Sequence, residues 1–321
     1  MKTESKESKK FFLLIALILL LVTSTYAWFT VNRNVRVEGI NVEVATSGNL
    51  EISVDAINWK NVINTNELLN SVKNTYPAAV NQIPSEGLYP MSTAGNIANG
   101  KLDMFFGKVL VDADTNAYSL ITSKEEETHG TDGKFISFDI FLKVEHQTVV
   151  YLTSESEIKS SRITNNNLST GIENATRIAV LNHGNGSSAA QVQNLKGANK
   201  AMIIEPNYDA HTNTGIRNAQ DIYQIYGLSS SGSAALQYYG VKANISNPVA
   251  INSKSDAYFA IVNPDKKLAR SFFNGGNQVE VLNLNPGITK LRLYIWIEGQ
   301  DVDCEDNASG ANLTVNLQFS T

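Results

Sequence analysis

The chain has 321 residues, with 26 Lys and Arg against 31 Asp and Glu, a formal net charge of -5 and a pI ≈ 5.5. That balance excludes the basic surface needed to recognise nucleic acid or an anionic membrane. The one cysteine, Cys304, permits no internal disulfide, so packing alone must hold the fold, and the length suits one large domain with insertions or two smaller ones.

Lys9 and Lys10 lead into an apolar run from Phe11 to Val22. About a dozen residues is short for a spanning helix of roughly 20 and fits the h-region of a signal peptide. Thr25 and Ala27 place small side chains at the third-from-last and last positions before a cut, so residues 1–27 read as a signal peptide cleaved between Ala27 and Trp28. Counting on to Val31 gives about 21 mostly apolar or neutral residues, enough for a signal anchor. In that alternative an uncleaved leader is the chain's only membrane contact.

Beyond the leader, Val35 and Val37 alternate, and Ile40, Val42 and Val44 resume one residue out of phase after Gly39, which predicts a β-bulge. Leu50, Ile52 and Val54 form a second strand across the Ser47-Gly48-Asn49 turn, and the two are expected to pair as a hairpin. Residues 57–101 lose the period and read as a surface excursion, with a short helix over 67–73 capped by Asn64 or Thr65. A strand over 102–111 follows. In 135–152, Ile136, Phe138, Ile140, Leu142 and Val144 share one face, while Ser137, Asp139 and Lys143 point the other way, as in a half-buried sandwich strand.

Strands are expected again at 177–181 and 201–204, separated by a Gly/Ser/Asn-rich loop. A second insertion, 207–248, carries Ile216, Ala219, Ile222, Tyr223 and Tyr226 at helical spacing. Strands at 258–262, 278–284, 290–298 and 312–320 complete the set. Leu291, Leu293, Ile295 and Ile297 face inward, as do Leu313, Val315, Leu317 and Phe319. About ten strands with no βαβ rhythm predict an all-β fold, an antiparallel, jelly-roll-like β-sandwich with long loop insertions and one or two short helices. It would fill 28–321 as a single domain.

Two stretches carry a family resemblance. Thr25-Tyr26-Ala27-Trp28-Phe29, closing a Lys-led apolar run and opening a Val-rich strand, resembles the signal peptides of TasA/camelysin-type secreted proteins, which a SipW-type signal peptidase cuts in Gram-positive bacteria. At the other end, Trp296-Ile297-Glu298-Gly299, an acidic turn with Cys304 and a last strand are similar to the ending of uncharacterised secreted proteins with the same kind of leader. The resemblance implies an exported structural or interaction protein of the bacterial cell surface or extracellular matrix. Its implied partners are the signal peptidase and, in assembly, itself or other matrix proteins. In the fibre-forming relatives the segment after the cut is handed to a neighbouring subunit as an added strand. That role maps here onto Trp28, Phe29, Val31, Val35 and Val37, with folding back onto the chain's own sheet as the alternative.

Camelysin has been described as a metalloprotease, but His129, His146, His183 and His211 are scattered singly and no HExxH occurs. Cys304 has no histidine near it in sequence, and acidic neighbours suppress its thiolate, so it reads as a half-buried residue at a strand end. Asp301, Asp303 and Asp306 gather oxygen ligands of the kind Ca²⁺ takes, yet the spacing lacks the EF-hand glycine and closing glutamate. A solvated hairpin turn is expected there, with no metal and no cofactor. Glu125-Glu126-Glu127 likewise reads as a polar loop. Trp59, Trp296, Tyr238 and Tyr239 are aromatics on which a sugar could stack, although core packing is the expected role of Trp296, and this keeps a monomeric glycan-binding module as the second reading. An extracellular hydrolase is a distant third, and a catalytic motif or sortase signal is absent from the sequence.

Overall fold

The computed structural model describes residues 34–45, 49–71, 75–115, 117–160, 171–205, 211–221, 239–251, 253, 255–262, 278–304 and 310–321. The leader, Thr25, Ala27, Trp28, Phe29, Val31, Tyr238 and Asp306 lie outside these residues. In chain order the strands are β1 (Arg36–Val44), β2 (Glu51–Ser53), β3 (Val62–Ile63), β4 (Pro90–Ser92), β5 (Ile97–Ala98), β6 (Lys101–Leu102), β7 (Met104–Val111), β8 (Tyr118–Glu125), β9 (Ile136–Val144) and β10 (Thr148–Leu152). Then come β11 (Glu157–Ser160), β12 (Thr176–Gly186), β13 (Ala201–Ile204), β14 (Tyr239–Val241), β15 (Ile245–Ala250), β16 (Phe259–Ile261), β17 (Val279–Leu284), β18 (Gly287–Glu298) and β19 (Asn312–Ser320). Among the described residues, short helices cover Thr65–Ser71, Ile172–Ala175, Ala189–Gln193 and Asn213–Asp221, where one or two are expected from the periodicity.

The fold is all-β and sandwich-like. One sheet has six strands in the order β17-β10-β19-β1-β3, with β11 also on β19; the other has nine, β13-β12-β18-β4-β7-β8-β15, with β9 on β18 and β2 on β9. The alternation read from the sequence defines the interface between them. Ile40, Val42 and Val44 of β1 and Leu313, Val315, Leu317 and Phe319 of β19 meet Phe138, Ile140 and Leu142 of β9 and Leu291, Leu293, Ile295 and Ile297 of β18 in one buried cluster. Burying each such side chain stabilises the fold by about 1.5–3 kcal/mol.

Pairing departs from the expected pattern in two places. β1 and β19 run parallel, as do β4 and β18, so the sheets are mixed and not purely antiparallel. Parallel neighbours need a long connection, and nearly the whole chain lies between β1 and β19. The expected hairpin does not form: β1 pairs with β19 and β3, whereas β2 pairs with β9 in the other sheet. The chain crosses between sheets where a tight turn was expected, and a period of two continues on either path. The register shift between Val37 and Gly39 is the bulge predicted there. Asn64 caps the first helix as expected: its Oδ1 accepts from Glu67 N at 3.1 Å, and Glu67 Oε2 accepts from Asn64 N at 3.1 Å, a reciprocal capping box.

Residues 57–101 are a cover and not a surface excursion. Leu68, Tyr76, Ile83, Leu88 and Met91 are buried. Met91 and Leu102 join Phe135, Tyr294 and Trp296 in a second cluster on the face of β18 turned away from the sandwich interior. β18 is therefore buried on both faces, and Ser137 and Asp139 of β9, expected in solvent, are buried too. The expected loop after residue 181 is partly ordered as the end of β12 and the Ala189–Gln193 helix.

Cys304 also sits deeper than half-buried. It is 6% exposed and belongs to the main core cluster. Cys304→Ser puts a hydroxyl where a weakly polar sulfur packs, and is expected to lower the unfolding free energy by about 1–2 kcal/mol in urea titration. A loss under about 0.5 kcal/mol would mean the position tolerates polarity and packs loosely.

Candidate functional site

The even-numbered positions of β18 present Lys290, Arg292 and Tyr294 to the cover. There Arg292 lies directly across from Asp139 of β9. Its Nη1 donates to Asp139 Oδ1 at 2.8 Å, while Nε and Nη2 reach Glu127 Oε1 and Oε2 at 3.1 and 2.9 Å, a two-pronged pairing that fits the planar guanidinium. Nη2 also donates to Ser137 Oγ at 3.2 Å and to the carbonyl of Val80. Tyr76 donates its hydroxyl to Asp139, and Tyr294 donates to Glu127. Lys290 Nζ lies 3.4 Å from Asp139 Oδ2 and donates to the Gln193 carbonyl at 3.0 Å. Glu127 lies in the loop that follows β8, as expected, but its side chain is a buried ion-pair partner because Arg292 reaches it from β18.

The physical consequence is visible in the acidities. Burial alone would raise the Asp139 carboxyl, but Arg292 and Lys290 outweigh it and hold it below the ordinary range. Burial and the neighbouring carboxylates raise both tyrosine hydroxyls, which stay protonated as donors. Charge pairs of this kind contribute little net stability but are very costly to break one-sidedly.

His183 of β12 is 5% exposed beside this cluster, and among the described residues its Nδ1 meets no hydrogen-bond partner. Burial, opposed by Asp139 and Glu127 and reinforced by Lys290 and Arg292, pushes its pKa down to about 4. The unfolded chain, with histidine near 6.5, binds the proton that the native state refuses, so stability falls as pH drops from about 6.5 to about 4. The expected loss is on the order of 3 kcal/mol. Urea unfolding between pH 7.5 and 4.5 checks it: the wild-type slope should exceed that of His183→Gln, and equal slopes would refute the assignment.

A second cluster forms where the turn after β18 meets the second insertion. Asp301 and Asp303 are buried, a correction to the solvated hairpin turn expected there. Arg177 of β12 donates through Nη2 to Asp301 Oδ2 at 2.6 Å and to Glu205 Oε1 at 2.7 Å. Asp303 accepts from Thr212 N and Oγ at 2.9 and 2.5 Å and from Asn174 Nδ2 at 2.9 Å. Thr212 in turn caps the Asn213–Asp221 helix, with Gly215 N donating to its Oγ at 3.0 Å. Two glycines make room for Asp303. A Cβ on Gly171, at φ +75, would lie 2.9 Å from its Cβ and Cγ, and one on Gly215 would lie 2.5 Å from its Oδ1.

His211 completes the group. Its Nδ1 lies 3.3 Å from Asp303 Oδ2 and 3.6 Å from Asp301 Oδ1. One ligand atom from each of the three residues falls within 4.8 Å of the other two. Burial by itself would lower the imidazole, but Asp301 and Asp303 push it up to about 10, while Arg177 and His211 overcome the burial of Asp301 and pull it down to about 2. Nothing in the spacing of the histidines signals this meeting, because His211 joins the aspartates across some 90 residues of chain, |i−j| being 92 for the pair with Asp303.

The other sequence candidates stay apart. Trp296 is fully buried and Tyr239 is paired in β14, while Trp59 packs beneath the Lys143 ammonium, 4.9 Å from its ring centre. These three form no shared platform for a sugar. Val35 bridges to Leu88 and Val37 packs against the main core, so both sit in the chain's own sheet. Together the fold and clusters define a β-sandwich protein whose gathered charges are turned inward onto one another. Set beside known protein families, curated proteins and solved structures, the chain matches none of them.

Proposed function

We propose that the protein is an exported structural or interaction protein of the bacterial cell surface or extracellular matrix, and that it is not an enzyme. The observation that carries this reading is the burial and mutual bonding of its clustered charged side chains. Arg292, Asp139 and Glu127 bond to one another, and Asp303 already accepts from Thr212 and Asn174, so these side chains are held as internal supports. A general acid, base or nucleophile must reach a substrate proton or carbon, and these groups are buried beneath the cover or in the turn. Export rests on the leader residues Thr25, Ala27 and Trp28 and on the resemblance they carry.

The edges of the six-stranded sheet support assembly. On the side of β1 away from β19, Leu88 bonds Val35 in both directions, Thr65 Oγ1 bonds Ile40 N and O at 2.9 Å each, and β3 covers Val42. Val35 and Val37 are thereby committed to their own sheet, which leaves Trp28, Phe29 and Val31 as the segment offered to a neighbour. At the opposite end, β17 is paired among the described residues with β10 alone, and such an edge is a template for an added strand. A head-to-tail contact of this kind does not close, and it builds filaments.

Size-exclusion chromatography with light scattering on the processed chain tests the reading. Mass that grows with concentration, and that is lost when residues 28–33 are removed while β-sheet circular dichroism persists, is the expected result. A monomer at every concentration whose elution shifts with an oligosaccharide would replace it with the glycan-binding reading.

A further inference from the structure

We infer that His211, Asp301 and Asp303 form a binding site for one divalent transition-metal cation of the Zn²⁺ or Mn²⁺ kind, which ties the second insertion to the turn after β18. The first ground is distance. A charge-assisted N–H···O bond runs about 2.7–2.9 Å, whereas Nδ1 of His211 makes a long contact of 3.3 Å to Asp303 Oδ2 and stands 3.6 Å from Asp301 Oδ1, too far for a hydrogen bond. Ligands about 2.0–2.1 Å from a shared tetrahedral metal are separated from each other by about 3.4 Å. The side chains are spaced as the edge of a coordination polyhedron.

The second ground is charge. Asp303 is fully buried, and its other partners, Thr212 and Asn174, are neutral. Among the described residues, the permanent cation in the cluster is Arg177, which pairs with Asp301 and Glu205. Without a positive charge at His211, Asp303 would be a buried carboxylate with no cation of its own, which is strongly disfavoured. A proton on His211 supplies one positive charge against the two aspartates, whereas a divalent ion supplies two. The third ground is orientation. Arg177 holds Oδ2 of Asp301 and Thr212 Oγ holds Oδ1 of Asp303, while Asp301 Oδ1, which accepts from Asp303 N at 2.9 Å, and Asp303 Oδ2, which accepts from Asn174 Nδ2 at 2.9 Å, are turned toward the imidazole, in the manner of outer partners that aim metal ligands. Gly171 and Gly215 wall Asp303 into that position. The His211 side chain is 10% exposed and so marks the route by which an ion and its remaining water ligands enter.

The donor set selects the ion. One imidazole nitrogen with two carboxylates suits zinc or manganese, whereas Ca²⁺ takes six to eight oxygens. The site also differs from the all-aspartate loop considered for calcium, because its third ligand comes from the second insertion. It carries no step of the proposed function and stands or falls separately from export and assembly.

The full processed chain, stripped with chelator and dialysed, is titrated calorimetrically with ZnCl₂ and with MnCl₂, and its melting temperature is followed with each and with CaCl₂. Binding of one equivalent of Zn²⁺ or Mn²⁺ with a rise of several degrees in melting temperature is expected, with no comparable rise from Ca²⁺. His211→Gln, at the open side of the site, should keep its β-sheet circular dichroism at some cost in stability and bind at least tenfold more weakly; Asp303→Asn should lose binding and also stability. Failure of the unaltered protein to bind either ion at millimolar concentration would overturn the site. So would undiminished affinity in His211→Gln, or a response to Ca²⁺ alone.

Discussion

Arg292→Met is expected to destabilise the protein by about 3–5 kcal/mol, because it strips the cation from two buried carboxylates at once. Asp139 and Glu127 both lie within 3.1 Å of the guanidinium, and both face the covered side of the nine-stranded sheet. Lys290 remains 3.4 Å from Asp139, and Lys101, on the rim, 3.3 Å from Glu127, so each carboxylate retains one weaker partner. Neither lysine reproduces the fork that grips Glu127 with two parallel bonds. Arg292→Lys should therefore recover only part of the loss. Guanidinium titration measures both variants, and a loss below about 1 kcal/mol for the methionine would show that the cluster is solvated in solution.

Trp296→Ala is the second large effect, also about 3–5 kcal/mol. The indole is fully buried on the same covered face, packed with Met91, Phe135 and Tyr294, and its Nε1 donates to Glu298 Oε2 at 3.1 Å. Truncation opens a cavity that flanking strands cannot fill, because β12 and β9 are locked to β18 along most of its length. Trp296→Phe keeps most of the volume and loses the donor, so its cost should be nearer 1–2 kcal/mol. If alanine costs no more than phenylalanine, the cover closes onto the gap, and 57–101 is a pliable flap instead of a packed roof.

Both predictions concern the face of β18 opposite the sandwich core, whose covering the sequence leaves open, and the reason is physical. Alternation shows that Leu291, Leu293, Ile295 and Ile297 share a side, and it shows that Arg292 and Tyr294 share the other. It does not show what lies over either side. Gly39 at a phase shift and the Asn64/Glu67 pair at a helix start were legible because bulges and caps are decided within a few residues. The hairpin expected between β1 and β2 does not form, and the sequence shows no sign of this because a turn and a crossing between sheets leave the same local pattern.

The sequence by itself determined the elements and the inner faces: period-two apolar residues bury one side of a strand wherever that strand ends up, so the all-β class and the sandwich core follow from composition and spacing. Only the tertiary structure decided the partners. β19 closes beside β1 from the far end of the chain, Glu127 reaches Arg292, and His211 meets Asp301 and Asp303. Those meetings depend on which segments cross in space, and in low dielectric the crossing converts side chains that look like solvated loop charges into buried, mutually dependent ones.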